Sequence, residues 1–283
     1  GSLSFSKRYE SGLRFNVNML YEDRMPLDNT TYYTFFKKDS VRITPNYPAE
    51  RVTAADIFPH QAFIVSFNVS FRPGQKYIQL PNSKISLGSK FPTFTLGYAK
   101  GIPSVFGSDV NFDRWKLSVS EDRNFKLAGS LKYKIGAGGF LNNKKVNIQD
   151  YQHFNGNEAV AASEYVNSFQ LVKYYAYSTT EQLYGIAHLE HHFNGFLTNQ
   201  VPLFKRLGWF LVAGTNTFYV NTKSNYIEVF AGLENILKIL RIDVVLAYEN
   251  GKHGRTAIRL GTGGLLGNSV EVNRRKGSAS VNL

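Results

Sequence analysis

His188, Glu190 and His192 stand two residues apart in HLEHH, a spacing that puts all three on one side of an extended chain. His191 points the other way. Imidazole and carboxylate groups suit zinc or a similar ion. Same-face neighbours on a strand lie roughly 7 Å apart, so one ion bridges two of them far more readily than three. The plainer alternative is a polar cluster in a wet interior, with Glu190 bonded to a neighbouring Lys, Arg or His. That alternative carries more weight, and neither a metal nor another cofactor is expected.

Arg241 and Asp243 share a face in the same way, as do Arg14 and Glu22 further apart. On a face turned toward a lumen, such residues would pair across strands with Lys116, Lys126, Lys132, Lys134 or Arg259. Arg72 continues the polar side Ser66, Asn68, Ser70. The expected network is therefore Arg14, Arg72, Lys116, Lys126, Lys132, Lys134, His188, Glu190, His192, Arg241, Asp243 and Arg259. Its surplus of positive charge would favour anions. On a solvated sheet face the same residues would contribute little.

Other chemistry finds weaker footing. A hydrolase needs Ser, His and a polar orienter within reach of one another. No G-x-S-x-G is present, and no serine can be paired with His192 from sequence. The glycine-rich stretches at 136–139 and 261–264 lack the P-loop form and are better read as places where a strand bends or turns. The segment Pro202 to Leu207 reads as a turn carrying basic residues near a lipid interface, or as a plain loop.

The elements that would position these residues are strands. Period-two alternation recurs in segments of about ten residues. Leu13, Phe15, Val17, Met19 and Tyr21 oppose Arg14, Asn16, Asn18 and Glu22, with Leu20 as the exception. Phe63, Val65, Phe67, Val69 and Phe71 oppose Ser66, Asn68, Ser70 and Arg72. The stretches 115–120, 125–135 and 240–249 repeat the pattern. Less regular candidates are 2–8, 92–101, 168–179, 181–193, 208–220, 226–236 and 255–264. The total is about twelve strands, several near the ~10 residues that a tilted membrane strand needs.

Aromatic residues crowd strand ends, as at Tyr174, Tyr175 and Tyr177, and at Phe218 and Tyr219. Their recurrence suggests interfacial girdles. Short connections are expected at 121–124, around Thr179-Thr180 and at 221–225. Long ones are expected near 29–59, 73–91 and 140–167, with a short helix at Asn157 to Tyr165. Long loops on one side suit an outer-membrane barrel and argue against a soluble domain.

Composition narrows the classes. The 283 residues are 43% hydrophobic and 14% aromatic, too rich for a disordered chain. No apolar run approaches the ~18 residues of a membrane-spanning helix, but a β-barrel leaves no such run. The absence of cysteine excludes disulfides and thiolate zinc sites. The net charge of +12 is scattered, with one dense run at Arg274-Arg275-Lys276, so nucleic acid is not an expected partner. The start Gly1-Ser2-Leu3-Ser4-Phe5 is no signal peptide. Either a signal was removed or residue 1 lies inside a longer protein.

Specific phrases then carry a resemblance. They are FRPGQKYIQLP (71–81), PTFTLGYAKGI (92–102), GSDVNFDRWKLSV (107–119), GAGGF (136–140), YYAYST (174–179), EHHFNGFLTNQVPLFKRLGW (190–209) and YIEVFAGLENILKILRIDVV (226–245). Together, over about 60–264, they resemble the C-terminal part of the domain of unknown function 5686 family of Bacteroidota. The resemblance implies a C-terminal outer-membrane barrel, preceded in the whole protein by a signal peptide, a carboxypeptidase-regulatory-like β-sandwich and a middle region.

A more distant resemblance to the Omp85 superfamily rests on IQDYQHFNGNE (148–158) and on HLEHHFNGFLTNQVPL leading into LVAGTNTFY. It implies protein insertion or translocation at the outer membrane. The Arg-Gly-Phe or Arg-Gly-Tyr tripeptide of that superfamily is missing here; Phe193-Asn194-Gly195-Phe196 only looks similar.

The expectation is thus an all-β, transmembrane antiparallel barrel over 1–264, by itself or as part of a larger one, with 265–283 as a tail or last strand. Its expected role is non-enzymatic: anchoring periplasmic domains in the bacterial outer membrane, with a part in protein assembly, export or envelope biogenesis. Its partners would be outer-membrane lipid and periplasmic or outer-membrane proteins. The alternatives are a pore for small, anionic solutes and an outer-membrane hydrolase. Two stacked sheets hiding Phe15, Phe67, Leu127 and Val244 would overturn the barrel.

Overall fold

The computed structural model describes residues 1–27, 56–80 and 83–262. The strands are β1 (Ser2–Arg8), β2 (Leu13–Arg24), β3 (His60–Phe71), β4 (Lys76–Leu80), β5 (Ser83–Gly88), β6 (Thr93–Gly101), β7 (Asn111–Asn124) and β8 (Ser130–Lys145). They continue with β9 (Tyr184–His192), β10 (Phe210–Asn221), β11 (Ser224–Ile236), β12 (Leu240–Glu249) and β13 (Lys252–Thr262), and one short helix, α1 (Pro202–Leu207), precedes β10. Eleven strands form one sheet in the order β1-β2-β3-β6-β7-β8-β9-β10-β11-β12-β13. β4 and β5 pair only with each other.

Every neighbouring pair in the large sheet is antiparallel. The sheet is therefore a meander in which each strand returns beside the last. Among the described residues it is not closed: β1 and β13 are its two edges. Alternation sets the register because a one-residue slip would exchange the two faces. β2 and β3 stay in step from Leu13↔Phe71 to Arg24↔His60.

The register sorts the side chains into two faces. One is apolar from β2 to β13, and none of the described residues covers it. Met19, Phe67, Leu117, Leu189, Ile227 and Val244 are all exposed on it. Leu96 is 51% exposed, Ile135 54% and Ile258 58%. The other face is polar, and there the chain covers itself. The connection 146–183 lies over the strands from β9 to β12. Its Phe154, Tyr165, Phe169, Leu171 and Val172 are buried against Tyr184, Val212, Phe218, Tyr226, Phe230, Val245 and Ala247. Fully burying one such Phe contributes about 1.5–3 kcal/mol. A smaller cluster of Ala62, Ala99, Val110, Phe112 and Phe140 sits where β3, β6, β7 and β8 meet.

Among the described residues no second sheet hides the apolar face; Phe67 and Val244 are exposed. Several finer expectations need correction. No strand forms at 168–179: Phe169, Leu171 and Val172 all turn toward the polar face, so the run belongs to the covering segment. No helix forms at 157–165 either. The Asn157 amide donates to the Ala161 carbonyl and its oxygen accepts from the Ala159 N–H, bending the chain out of helical register.

The stretch 125–135 is a turn followed by a strand. Phe125 to Gly129 forms the β7–β8 hairpin loop, leaving Leu127 85% exposed. A Cβ at Gly129, whose φ is 97°, would overlap the His192 carbonyl, so the turn requires glycine. The turn at 121–124 is the end of β7. The expected loop at 73–91 holds the β4–β5 hairpin, and Pro202 to Leu207 is helical, with proline at its start and Gly208 closing it. The long connections do not share one end: those after β2 and β8 leave the same end, and the one after β3 leaves the other. The proposed tail at 265–283 and most of 29–59 lie outside the described residues.

Candidate functional site

Alternation along LRIDVVLAYE turns Arg241, Asp243, Val245 and Ala247 to the polar face and leaves Ile242, Val244 and Leu246 on the other. The same rule on β9 turns His188, Glu190 and His192 inward. Glycines opposite them make room: a Cβ at Gly232 would overlap the Asp243 carboxylate. Arg241 therefore lies flat in the wall. Its Nε donates to Asp243 Oδ2 at 2.8 Å, and its Nη1 donates to the Glu190 carboxylate. The Tyr165 hydroxyl, from the covering segment, donates to Asp243 at 2.8 Å, and its ring stacks 4.4 Å from the guanidinium. Burial and the adjacent Asp243 push the Tyr165 hydroxyl's pKa upward, so it stays a donor.

A second fastening lies beside the first. Glu228, fully buried, accepts the backbone N–H groups of Gln170 and Leu171 at 2.8 and 3.2 Å. It also accepts from Asn216 at 2.7 Å and from the Tyr226 hydroxyl at 2.8 Å. The Gln170 carbonyl accepts from Arg259 at 2.9 and 2.6 Å. One peptide of the segment is thus held from both sides by opposite charges. His188 bonds Asn216 at 3.0 Å, and His192 bonds Glu234 at 2.9 Å.

The segment is also tied elsewhere. Arg24 forks onto Asp150 at 2.7 and 3.0 Å, and Arg114 Nη1 donates to the Asp150 and Tyr151 carbonyls. Residues 160–162 pair with the outer edge of β13, the Ala162 N–H donating to the Leu260 carbonyl at 2.7 Å. His153 meets Ser178 at 2.8 Å and closes the segment on itself. That Ser–His contact escaped the sequence reading. Ser178 is buried and also donates to the Tyr175 carbonyl, so the pair serves as a clasp.

Of the twelve expected network residues, the structure joins His188, Glu190, His192, Arg241, Asp243 and Arg259 in or around these fastenings. Lys134 reaches Asn167 of the segment at 2.8 Å. Lys132 faces Asp122 and Glu190 across its two neighbouring strands. Lys116 stands on the polar face of β7 between Gly97 and Gly138. Arg14 is exposed near the β1 edge, opposite Arg8.

Two residues leave the set. Lys126 lies in the hairpin turn with φ 58°, and Arg72 follows β3 and donates to the Ser89 and Phe91 carbonyls. Both lie past a strand end, where the backbone turns and alternation stops assigning faces. Of the His188–Glu190–His192 triple, Glu190 and His192 lie 3.6 Å apart while His188 turns to Asn216, and among the described residues no three ligating side chains gather as for a metal. The sequence reading missed Gln170, Tyr165, Asn216 and Glu228. A signal existed for Glu228, an acid between Tyr226 and Phe230 on one strand face.

These features define a class: a broad antiparallel wall, bare and apolar on one side, with a long connection bolted onto its polar side. The chain belongs to the family of unknown function DUF5686, as its C-terminal domain, matched over residues 1–233. The match takes in the covering segment and most of β11; Arg241, Asp243 and Arg259 lie past it. No curated protein matches the chain.

Proposed function

We propose that this chain is the wall of an outer-membrane β-barrel, apolar face to lipid, with 146–183 as an inward stopper. The observation that carries this reading is the inversion of the usual arrangement. Among the described residues, the chain spends its own covering segment on the polar face and leaves the apolar one bare. In water a continuous exposed apolar face of this kind is an aggregation liability. Against acyl chains it is the stable arrangement.

The open sheet adds a condition. Eleven alternating strands leave β1 and β13 running in the same direction. Antiparallel closure therefore takes an odd number of further strands, which bacterial barrels with even strand numbers satisfy. The role that fits is non-enzymatic: anchoring periplasmic domains and supporting envelope assembly or export. Its partners are lipid and envelope proteins. Both fastenings hold a segment in place without presenting a nucleophile beside a base.

Trp115 and Trp209 are the two tryptophans, and Trp115 lies on the apolar face of β7. In vesicles with brominated acyl chains, a Trp209→Phe variant should show strong quenching of Trp115. Unquenched emission from properly inserted protein would sink the membrane reading. The uncovered, basic part of the polar face favours a second reading, a channel for small anions. Planar-bilayer conductance separates the two, since a stoppered wall is silent.

A further inference from the structure

The two ends of the large sheet carry opposite charge. Four connections leave one end: 72–92 after β3, 125–129 after β7, 193–209 after β9 and 237–239 after β11. Every one of them holds Lys or Arg, and none holds Asp or Glu. The turn 9–12, also at this end, sets Glu10 beside Lys7 and Arg8. At the other end, 102–110 and 146–183 hold Asp109, Asp150, Glu158, Glu164 and Glu181 against Lys173 alone.

Each of the four basic connections also turns a large apolar side chain outward: Phe91, Leu127, Leu203 and Leu237 are all exposed. Lys90, Lys126, Lys205, Arg206 and Lys238 beside them are exposed too. Apolar groups such as Phe106 and Val160 are exposed at the other end as well, so what separates the ends is the charge beside them. Two of the basic tips are built at a cost. Lys126, Leu237 and Lys238 have φ of 58°, 50° and 66°, left-handed backbone that glycine or asparagine adopts more easily. A turn that only reverses the chain uses those residues, as Asn250-Gly251 does at the other end.

Neighbouring strands lie about 4.8 Å apart, so the row of tips from β3 to β12 runs over roughly 34 Å. A row of that length fits an extended, level partner that is negative at its surface and oily beneath. Leucine beside lysine suits such an interface, the apolar tip sinking in and the ammonium staying with the phosphates.

We propose that this end of the sheet seats in a layer of anionic phospholipid headgroups, with Leu127, Leu203 and Leu237 below the phosphates and Lys126, Lys205, Arg206 and Lys238 paired with them. This rests on the membrane reading of the apolar face and adds to it which rim of the wall takes acidic lipid.

The two tryptophans test it separately. Trp209 closes the 193–209 connection, stacked on Phe204 of α1, whereas Trp115 lies within β7 on the apolar face. Trp115→Phe protein is placed in vesicles of phosphatidylcholine and phosphatidylglycerol, with one lipid brominated at a time. Quenching of Trp209 then reads the relative affinity of the two lipids at this rim. Phosphatidylglycerol should be preferred by about fivefold or more, the effect of one basic side chain at a charged surface. Bromine near the headgroup should quench Trp209 more than bromine near the chain end. Lys126→Gln, Lys205→Gln, Arg206→Gln and Lys238→Gln together should return the ratio to parity. If that variant does not fold, Lys205→Gln with Arg206→Gln replaces it, and the ratio should fall in the same direction. Lys223→Gln and Lys252→Gln, at the other end, should leave the ratio unchanged. Unquenched Trp115 in the companion Trp209→Phe protein removes the membrane reading and this proposal with it. If Trp115 is quenched while Trp209 shows no preference for phosphatidylglycerol, or keeps its preference in the glutamine variants, this proposal alone is overturned.

Discussion

The two halves of the polar face are made of different residues. Across the middle of β2, β3 and β6 it carries Asn16, Asn18, Ser66, Asn68, Ser70 and Thr95, all short and neutral, with Arg14, Glu22 and Arg24 toward the ends of β2. Across β9 to β13 it carries His188, Glu190, Glu228, Arg241, Asp243 and Arg259, long and ionisable, all buried. The covering segment accounts for the contrast. An ion pair left in water gains little. Under a cover, the same groups must be matched one to one, and once matched they hold the cover in a single place. Buried charge on this face therefore marks where the wall is roofed, whereas the charges outside the roof, such as Arg14, are exposed.

The sharpest way to break that contrast is to unpair the roofed half. Asp243→Ala takes away one of the two carboxylates that hold Arg241 and leaves the Tyr165 hydroxyl without its acceptor, and removing one partner of a buried pair costs about 3–5 kcal/mol. Denaturant unfolding should show the loss, and proteolysis within 146–183 should accelerate with it. Intact protection of that segment would mean that the charges do not fasten it.

Next in size is a change on the opposite face. Val244→Lys points a charge outward from the middle of β12. Facing lipid, it should destabilise the inserted protein by about 2–4 kcal/mol. Facing water, it should be close to neutral, so unfolding from vesicles reads the environment of the bare face directly.

The faces were legible in the sequence because alternation reports burial only through its period. Leu13 to Tyr21 and Phe63 to Phe71 needed no further information. What alternation cannot report is which face is covered, or by what. The run 168–179 reads as a less regular strand, yet Phe169, Leu171 and Val172 are all buried in the segment that roofs the sheet. The backbone groups of Gln170 and Leu171 bond the side chains of Glu228 and Arg259, 57 to 89 residues away. No local pattern encodes a partner at that distance. Lys126 and Arg72 failed for the opposite reason, because each sits just past a strand end where the pattern no longer holds.

The unroofed half supplies a smaller effect that sharpens the contrast. Asn68→Ala removes a short polar group from the face of β3 and should change stability by no more than about 0.5 kcal/mol. A loss comparable to that of Asp243→Ala, in the same unfolding assay, would show that this half is also covered.

The smallest effect should come from the segment's own clasp, and its sign can be worked out. Burial lowers the pKa of His153, and the nearby Arg114 and Lys116 push the same way. In the unfolded chain an imidazole takes its proton near pH 6.5, while the folded chain resists it to lower pH. Stability linked to His153 is therefore flat above that point and falls as the solution is acidified below it. Comparing the melting temperature at pH 7.5 and 5.5, in phosphate-free buffer, isolates the contribution. The unaltered chain should lose more on acidification than His153→Gln, since the other titrating groups are common to both. Equal losses would mean that the ring is solvated, and that the roof over β7 is looser than the one fastened to Glu228 and Arg241.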